Sequence, residues 1–239
     1  MSLGLSAAVL VSPACRPDVP PLAQSKDAVE KALIEAVRTE RVDVVRSLLA
    51  AGADPDAIAR GTHYEDTALT LACKSGNLAL VVMLLGAGAN PNLRQGGSNW
   101  EFTPLMLASG GGHIEIVQRL LDAGANVQDR QGMFHAQGGG PGVRPVPTLS
   151  YAVQYGHTEV ARRLILAGAS IERTELYSAI VNGHVDIVRL LLRADADPRW
   201  ILRSGLSVLD EARRSPEPTR AQMVAEVRRF LDGPPRPPE

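Results

Sequence analysis

The stretch WEFTPLMLASGGGHIEIVQRLLDAGANV, residues 100–127, decides the fold of this chain. It contains two short helical patterns, one beginning at Thr103 and one at His113, with three consecutive glycines at 110–112 between them. Apolar residues recur in each pattern at the spacing of one helix face. Two such short helices cannot cover all of their apolar surface with each other, so the sequence predicts that this unit stacks against copies of itself.

Copies of this unit follow a common spacing along the chain. The glycine that ends the first helix precedes the glycine of the closing turn by twelve residues, as Gly112 precedes Gly124. The corresponding pairs are Glu40 and Gly52, Gly76 and Gly88, Gly156 and Gly168, and Gly183 and Asp195. The positions equivalent to Thr103 are Lys31, Thr67, Pro147, Thr174 and Ser207, which by subtraction gives successive intervals of 36, 36, 44, 27 and 33 residues. Length therefore varies in the segments that join one helix pair to the next.

These segments resemble the ankyrin repeat, whose signature T-P-L-H-x-A recurs at a period of about 33 residues. The first-helix matches are TALTLACKSGN, TPLMLASGGGH, TLSYAVQYGH and TELYSAIVNGH, beginning at Thr67, Thr103, Thr148 and Thr174. The second-helix matches are VDVVRSLLAAGADP, LALVVMLLGAGANP, IEIVQRLLDAGANV, TEVARRLILAGASI and VDIVRLLLRADADP. The resemblance covers about residues 27–233, and the histidine of the signature is replaced by Ile34, Thr70, Met106, Ser150 and Tyr177.

The resemblance implies an all-α solenoid of stacked helix-turn-helix units joined by finger loops. The predicted units cover about residues 27–55, 67–92, 103–128, 147–172 and 174–198, followed by a capping unit at 204–233. The repeat domain then spans residues 26–233, between a leader at 1–25 and a tail at 234–239. The tail is predicted to be disordered because its prolines cannot continue a helix.

The composition fits a core made of Leu, Val, Ile and Ala in narrow layers. Hydrophobic residues make up 45% of the chain, but aromatic residues make up 4%. The net charge is −1 and no block of Lys or Arg runs along the units, so we predict no nucleic-acid partner. Two cysteines cannot form a disulfide framework, and Cys73 is predicted to be a buried core thiol.

The first residues suggest export. Residues 3–11 form an apolar run of the length found in the central region of a secretory signal, although no Lys or Arg precedes it. The sequence Ser12-Pro13-Ala14-Cys15 resembles a bacterial lipoprotein cleavage box. That resemblance implies lipidation of Cys15 and a place in the periplasm or cell envelope, with membrane contact through the lipid alone. The alternative is a mildly apolar leader on a cytoplasmic protein.

The sequence predicts no catalytic residue, metal site or cofactor. His113, His157 and His184 each follow a helix-breaking glycine, so we expect one histidine per layer, about 10 Å from the next, too far apart to share a metal ion. There each histidine is expected to cap its second helix and to pack across to the next unit. The glycines of residues 138–142 lack the following Lys-Ser or Lys-Thr of a phosphate-binding loop.

A row of carboxylates also has a structural explanation. Asp43, Glu115, Glu159 and Asp186 hold the same position near the start of successive second helices. A negative charge there interacts favourably with the positive end of the helix dipole. We therefore expect these four residues to stabilise helices rather than to form an active site.

The predicted fingers before Thr67 and Thr103 align, and each carries an aromatic residue followed by a glutamate. Aromatic side chains lose little entropy on binding and are frequent anchors in interfaces. The candidate partner-binding residues of these two fingers are His63, Tyr64, Glu65, Asn99, Trp100, Glu101 and Phe102. The alternative is that each aromatic residue packs onto its own finger as local core.

A longer insertion at residues 131–146 adds two candidates, Phe134 and His135. Taken together, the patterns predict a protein that is not an enzyme. It would bind another protein through its fingers and through a concave face between Tyr64 and about Tyr177. The alternative function is small-molecule binding or catalysis built on the 131–146 insertion.

Overall fold

The computed structural model describes residues 26–59, 65–94, 101–131, 145–201, 205–214 and 218–232. The predicted leader with Cys15 and the predicted tail at 234–239 lie outside these ranges, so both stay predictions. Within the described ranges, none of the helices has both the length and the apolar character that crossing a bilayer requires.

Helices of the described chain alternate between two layers. The first helices of the units are α1 (Lys26–Arg38), α3 (Ala68–Ser75), α5 (Pro104–Gly110), α7 (Thr148–Gln154), α9 (Arg173–Val181) and α11 (Val208–Arg214). The second helices are α2 (Val42–Ala50), α4 (Leu78–Gly86), α6 (Ile114–Asp122), α8 (Thr158–Leu166), α10 (Val185–Arg193) and α12 (Arg220–Leu231). Each first helix packs on the first helix of the next unit, and each second helix packs on the next second helix. This arrangement confirms the predicted all-α solenoid.

The core is a continuous band of small and branched side chains between the layers. In the third unit, Leu105 and Ala108 from α5 meet Ile116, Val117 and Leu120 from α6, and all five are fully or almost fully buried. One short antiparallel pair, β1 (Arg130–Gln131) and β2 (Val146–Pro147), closes the base of the long insertion. The described core thus needs no large aromatic side chains.

Two positions without glycine support the alignment of the units. Glu40 and Asp195 stand where the other units have the breaker glycine and the turn glycine. Their φ angles are 54° and 74°, in the left-handed region that the glycines at equivalent positions also adopt. The backbone geometry of the repeat therefore persists where the residue type changes.

Several first helices are capped at their starts by short polar side chains. The Thr67 hydroxyl accepts a hydrogen bond from the Thr70 backbone N–H at 3.0 Å, and the Thr70 hydroxyl accepts one from the Thr67 backbone N–H at 2.8 Å. Ser207 and Asp210 form the same reciprocal pair at the start of α11. Thr70, which replaces the signature histidine, thus forms a hydrogen bond within its own helix.

The fifth unit departs from the predicted start. Spacing equates Thr174 with the capping Thr103, but α9 begins at Arg173, and Glu172 is its capping residue. The carboxylate of Glu175, which is fully buried, accepts hydrogen bonds from the Glu172 backbone N–H at 2.8 Å and from the Ser150 hydroxyl of α7. The joining segment is so short here that a reciprocal pair of glutamates starts the helix earlier.

The carboxylate row is confirmed as a helix-start feature. Asp43, Glu115, Glu159 and Asp186 all lie in the first turn of their second helices. Two of them form ion pairs one turn along the same helix, Glu159 with Arg162 and Asp186 with Arg189. These carboxylates therefore interact within the first turns of their own helices.

The predicted role of the histidines was wrong in two respects. None of the three side chains caps its own helix, and the rings contact the preceding unit rather than the next. Nε2 of His157 lies 3.0 Å from the carbonyl oxygen of Gly110, and Nε2 of His184 lies 3.2 Å from that of Gln154. The breaker glycine lacks a side chain, so the histidine ring of the following unit occupies the space beside it.

A second ladder of hydrogen bonds joins the turns on the opposite edge. The Asp56 carboxylate accepts a hydrogen bond from the Asn90 backbone N–H, and the Asn92 side-chain oxygen accepts one from the Asn126 backbone N–H, each at 2.8 Å. The Gln128 side-chain oxygen likewise accepts hydrogen bonds from the backbone N–H and the hydroxyl of Ser170. Both edges of the stack are therefore held by polar contacts between successive units.

Replacing Gly112 by alanine is expected to destabilise the protein more than replacing Gly124. Both residues have positive φ, 73° and 86°, which costs an alanine about 1–2 kcal/mol. A Cβ at Gly112 would also lie 2.6 Å from Cε1 of His157, whereas a Cβ at Gly124 would meet nothing within 4 Å. Urea unfolding of the two variants measures the difference in the free energy of unfolding.

The double variant Gly112→Ala/His157→Ala tests whether the His157 ring causes the larger loss of stability at Gly112. Removing the ring should remove the steric part of the Gly112→Ala penalty, so the two substitutions should be non-additive. Equal penalties at the two glycines, or additive effects in the double variant, would contradict the histidine-on-glycine contact.

Candidate functional site

The first-helix layer has an exposed side that runs along the described stack. We call it the concave face and define it by the residues of α3, α5, α7 and α9 that point away from the second helices. Its main members are Lys74, Leu107, Gly110, Tyr151, Tyr155 and Val181. These residues are exposed or partly buried, whereas their neighbours on the same helices, such as Leu105 and Ala152, are fully buried.

Three aromatic side chains gather at the centre of the concave face. The rings of Phe102 and Tyr151 meet edge to face, with centroids 5.9 Å apart and an interplanar angle of 68°. Tyr155 follows the last residue of α7, one turn after Tyr151, and is 59% exposed; its ring centroid is 6.4 Å from that of His157. We call Phe102, Tyr151 and Tyr155 the concave aromatic cluster. Tyr155 thus lies beside the His157 ring while staying open to solvent.

The cluster borders a gap in the row of side chains. Lys74-Ser75, Gln154-Tyr155 and Val181-Asn182 hold equivalent positions at the ends of α3, α7 and α9, but α5 has Gly110-Gly111 there. Gly110 lies directly against the tyrosines, since a Cβ on it would be 3.7 Å from Cε2 of Tyr155. The face therefore lacks a side chain at Gly110, beside the Tyr155 ring, and we call this position the notch.

Burial changes the pKa of the Tyr151 phenol, which lies next to Tyr155. Tyr151 is partly buried, and this burial, together with the neighbouring Tyr155, raises the pKa of Tyr151 to about 12. The Tyr151 hydroxyl therefore stays protonated and uncharged at neutral pH. The centre of the concave face is therefore apolar with polar edges.

Finger residues named from the sequence fall into two groups. Glu65, Glu101 and Phe102 are described, whereas His63, Tyr64, Asn99, Trp100, Phe134 and His135 lie outside the described residues. Glu65 is exposed, and Phe102 belongs to the concave aromatic cluster. The binding role assigned to all nine residues stays a prediction.

Glu101 belongs to a charged network along the finger loops. Its Oε2 lies 3.8 Å from Nη1 of Arg94, and its side chain is 21% exposed. Arg94 also donates to the carbonyl oxygen of Arg130 at 3.0 Å and pairs with Asp129. Arg130 in turn forms an ion pair with Glu172. Arginine thus connects successive loops, and the Glu101 carboxylate already has a partner within the chain.

Asp66 lies at the base of the first finger, beside the concave face. Burial raises its pKa, an effect that Lys74 and Arg38 oppose. Its Oδ1 atom is buried without a hydrogen-bond partner. In the described ranges Asp66 and Lys74 form no close ion pair, although the Lys74 charge favours the ionised form of the Asp66 carboxyl.

Other candidate chemistry is sparse in the described part of the chain. Cys73 is fully buried, as predicted, and burial raises the pKa of its thiol. The described residues contain no group of three His, Cys, Asp or Glu side chains placed to hold a metal ion. The proposed small-molecule site on the 131–146 insertion falls mostly at residues 132–144, outside the described ranges.

Sequence reasoning missed Tyr151 and Tyr155, the main residues of the site. The signal was present, because two tyrosines four residues apart share one face of a helix. Aligning the units equates Tyr151 with Leu107, which the sequence pattern places on the inner stripe of its helix, although Leu107 is only partly buried. The sequence pattern favoured the finger aromatics instead, because an aromatic residue followed by a glutamate occurs in two successive fingers.

Comparisons with known proteins agree with this architecture. A family model described as "Ankyrin repeats (3 copies)" matches residues 16–95, 33–131 and 145–215. Among solved structures, the crystal structure of the human ASB11 ankyrin repeat domain is similar, with 25% sequence identity and a TM-score of 0.63. The similarity covers 85% of this chain and 84% of that one. No curated protein matches the chain.

The titration of Tyr151 gives a test of this geometry. The folded protein keeps a phenol proton that the unfolded chain loses near pH 10, so the free energy of unfolding should fall as the pH rises from about 10 to about 12. Tyrosinate absorbance should show one late step near pH 12 that is absent in Tyr151→Phe. If the Phe variant retains the late step, the burial of Tyr151 is wrong. Circular dichroism should confirm that the protein is folded across the titration.

Proposed function

The chain belongs to the ankyrin-repeat family, and from that premise we propose that it binds another protein through its concave face and catalyses no reaction. Ankyrin repeats are generally protein–protein interaction modules. The observation that supports this surface is the concave aromatic cluster, which leaves Tyr155 59% exposed in a chain with 4% aromatic residues.

Tyr155 has the properties of an interface anchor. Tyrosine presents a large area with few rotatable bonds, so little conformational entropy is lost when a partner covers it. The edge-to-face contact between Phe102 and Tyr151 and the His157 ring beside Tyr155 further limit the positions of these rings. Burying such an anchor typically contributes about 2 kcal/mol or more to binding.

The stack supports this surface by holding it in one shape. Histidine-on-glycine contacts on one edge and turn-to-turn hydrogen bonds on the other fix each unit relative to the next. A partner then binds a surface that is already ordered, and the cost of ordering is small. The predicted finger residues, Tyr64 and Trp100 foremost, would extend this surface at its loop edge.

Substituting Tyr155 should weaken partner binding more than an equal change on the other layer. Tyr155→Ser removes the anchor, whereas Leu166→Ser removes a side chain that is 74% exposed on α8. We expect partners that co-purify with the wild-type full chain to lose affinity about 30-fold or more for Tyr155→Ser, since about 2 kcal/mol corresponds to that factor. Leu166→Ser should retain them.

Quantitative affinity purification with mass spectrometry measures both variants, and thermal unfolding confirms that each is folded. Equal recovery of the same partners on wild type and Tyr155→Ser would contradict the proposal, as would their loss on Leu166→Ser alone. A third variant, Tyr64→Ala/Trp100→Ala, measures the fingers separately. Unchanged recovery there would remove the fingers from the interface.

For the cellular setting we propose the periplasm or cell envelope, with the cytoplasm as the alternative. The support is the resemblance of residues 3–15 to a lipoprotein leader. If this is correct, the mature protein from its native host begins at Cys15 and carries acyl groups, which intact mass spectrometry detects. A mature protein that retains residues 1–14 would contradict export by this route.

A further inference from the structure

Three consecutive glycines end the first helix of the third unit, and the fold explains two of them. Gly112 has a φ of 73° and lies against the His157 ring. At Gly111 a Cβ would lie 2.5 Å from Nε2 of His113, so a side chain there would displace that ring. Both residues therefore lie against histidine rings whose contacts help to hold the stack together.

Gly110 has no such explanation. It is the last residue of α5, it does not have a positive φ, and a Cβ there would make ordinary contacts of 3.7 and 3.8 Å with Tyr155 and Tyr151. An alanine would fit without displacing any neighbour, and glycine in a helix is less stable than alanine. The fold thus tolerates a side chain at a position where the sequence has none.

We infer that Gly110 keeps the notch of the concave face open for an aromatic or large aliphatic side chain of the bound partner. The side chain would lie on Gly110 and against the Tyr155 ring, where flat apolar surfaces meet without a charged neighbour. This inference rests on the proposed function, because it describes the partner of the same surface.

The charge pattern around the notch defines the partner further. Helices α5 and α7 contain no charged residue, and α9 has charges in its first turn alone. Lys74 holds the position equivalent to Gly110 in the preceding unit and is exposed. It forms no close ion pair in the described ranges, and the carboxylate whose charge interacts with it is that of Asp66.

Arg38 of α1 interacts with the same Asp66 carboxylate as Lys74, so two cations share one carboxylate on this side of the face. Lys74 is the closer of the two to the neutral centre, because α3 packs directly on α5. A carboxylate on the partner would complement the charge of Lys74. Its attraction to Lys74 would be stronger because α5 and α7, which flank the notch, carry no charged residue.

Spacing sets the distance between the two partner residues. Successive layers lie about 10 Å apart, and an extended chain rises about 3.3 Å per residue. A partner segment that crosses the units in extended form would place its acidic residue about three positions from its apolar residue. The inferred ligand is thus an extended peptide with an aromatic or large aliphatic residue and an Asp or Glu about three residues away.

The test starts from a displayed library of random linear peptides selected on the wild-type full chain. Enriched peptides are synthesised with a fluorophore, and their affinities are measured by anisotropy for the wild type and for variants. Gly110→Leu fills the notch, and its matched control is Gly86→Leu, at the end of α4, where a Cβ meets nothing within 4 Å. Lys74→Glu reverses the cation, and its control is Arg119→Glu, exposed on α6.

We expect enriched peptides to share an apolar residue and an acidic residue at the inferred spacing. Gly110→Leu should weaken them about tenfold or more, and Gly86→Leu should leave them nearly unchanged. Gly110→Ala should raise the urea midpoint of unfolding and still weaken binding. Lys74→Glu should prefer peptides in which Lys replaces the acidic residue, while Arg119→Glu keeps the wild-type preference.

Several results would overturn the inference. If Gly110→Leu binds the peptides as tightly as wild type, the notch is not occupied, and if the library yields no acidic enrichment or no peptide at all, the inferred ligand is wrong. Sensitivity to Tyr155→Ser separates the two proposals. If Tyr155→Ser loses the peptides and Gly110→Leu retains them, the concave face is the binding surface but the notch is not part of it. If neither substitution changes peptide binding, both the concave-face function and the notch are contradicted.

Discussion

Each helix pair in this chain leaves apolar surface that its own two helices cannot cover, and the neighbouring pair covers it. Helices of seven to nine residues occupy most units, so no unit has a core of its own. The buried band of Leu, Ile, Val and Ala side chains runs through all of the described units for this reason. Every other feature, including the exposed first-helix face, depends on that nearest-neighbour packing.

Small residues at the edges make this packing specific in register. Gly112 and Gly156 give space to the histidine ring of the following unit, and turn side chains such as Asn92 hydrogen-bond to the backbone of the next turn. These contacts align each layer with the one before it. The histidines, which by residue type are candidate metal ligands, therefore have structural roles in these contacts. The first-turn carboxylates also have a structural role, at the starts of their helices. The concave aromatic cluster has no such role.

Sequence reasoning was strongest where a pattern repeats and weakest where a residue is unique to one unit. The twelve-residue spacing located every breaker and turn, including Glu40 and Asp195, because left-handed backbone geometry recurs even without glycine. The start of α9 was misplaced, since a buried Glu175 that pairs with Glu172 occurs once. The direction of the histidine contacts was also wrong, because spacing along the chain does not say which neighbour a ring touches.

The sequence by itself determined the all-α repeat architecture, the order of the units and the buried faces, because helical periodicity and glycine positions are local properties. Only the tertiary structure decided that Phe102 meets Tyr151 across a unit boundary, that Tyr155 stays exposed beside Gly110, and that Arg94 already engages Glu101. The reason is physical: these contacts join residues from different units, and their distances depend on how the layers stack.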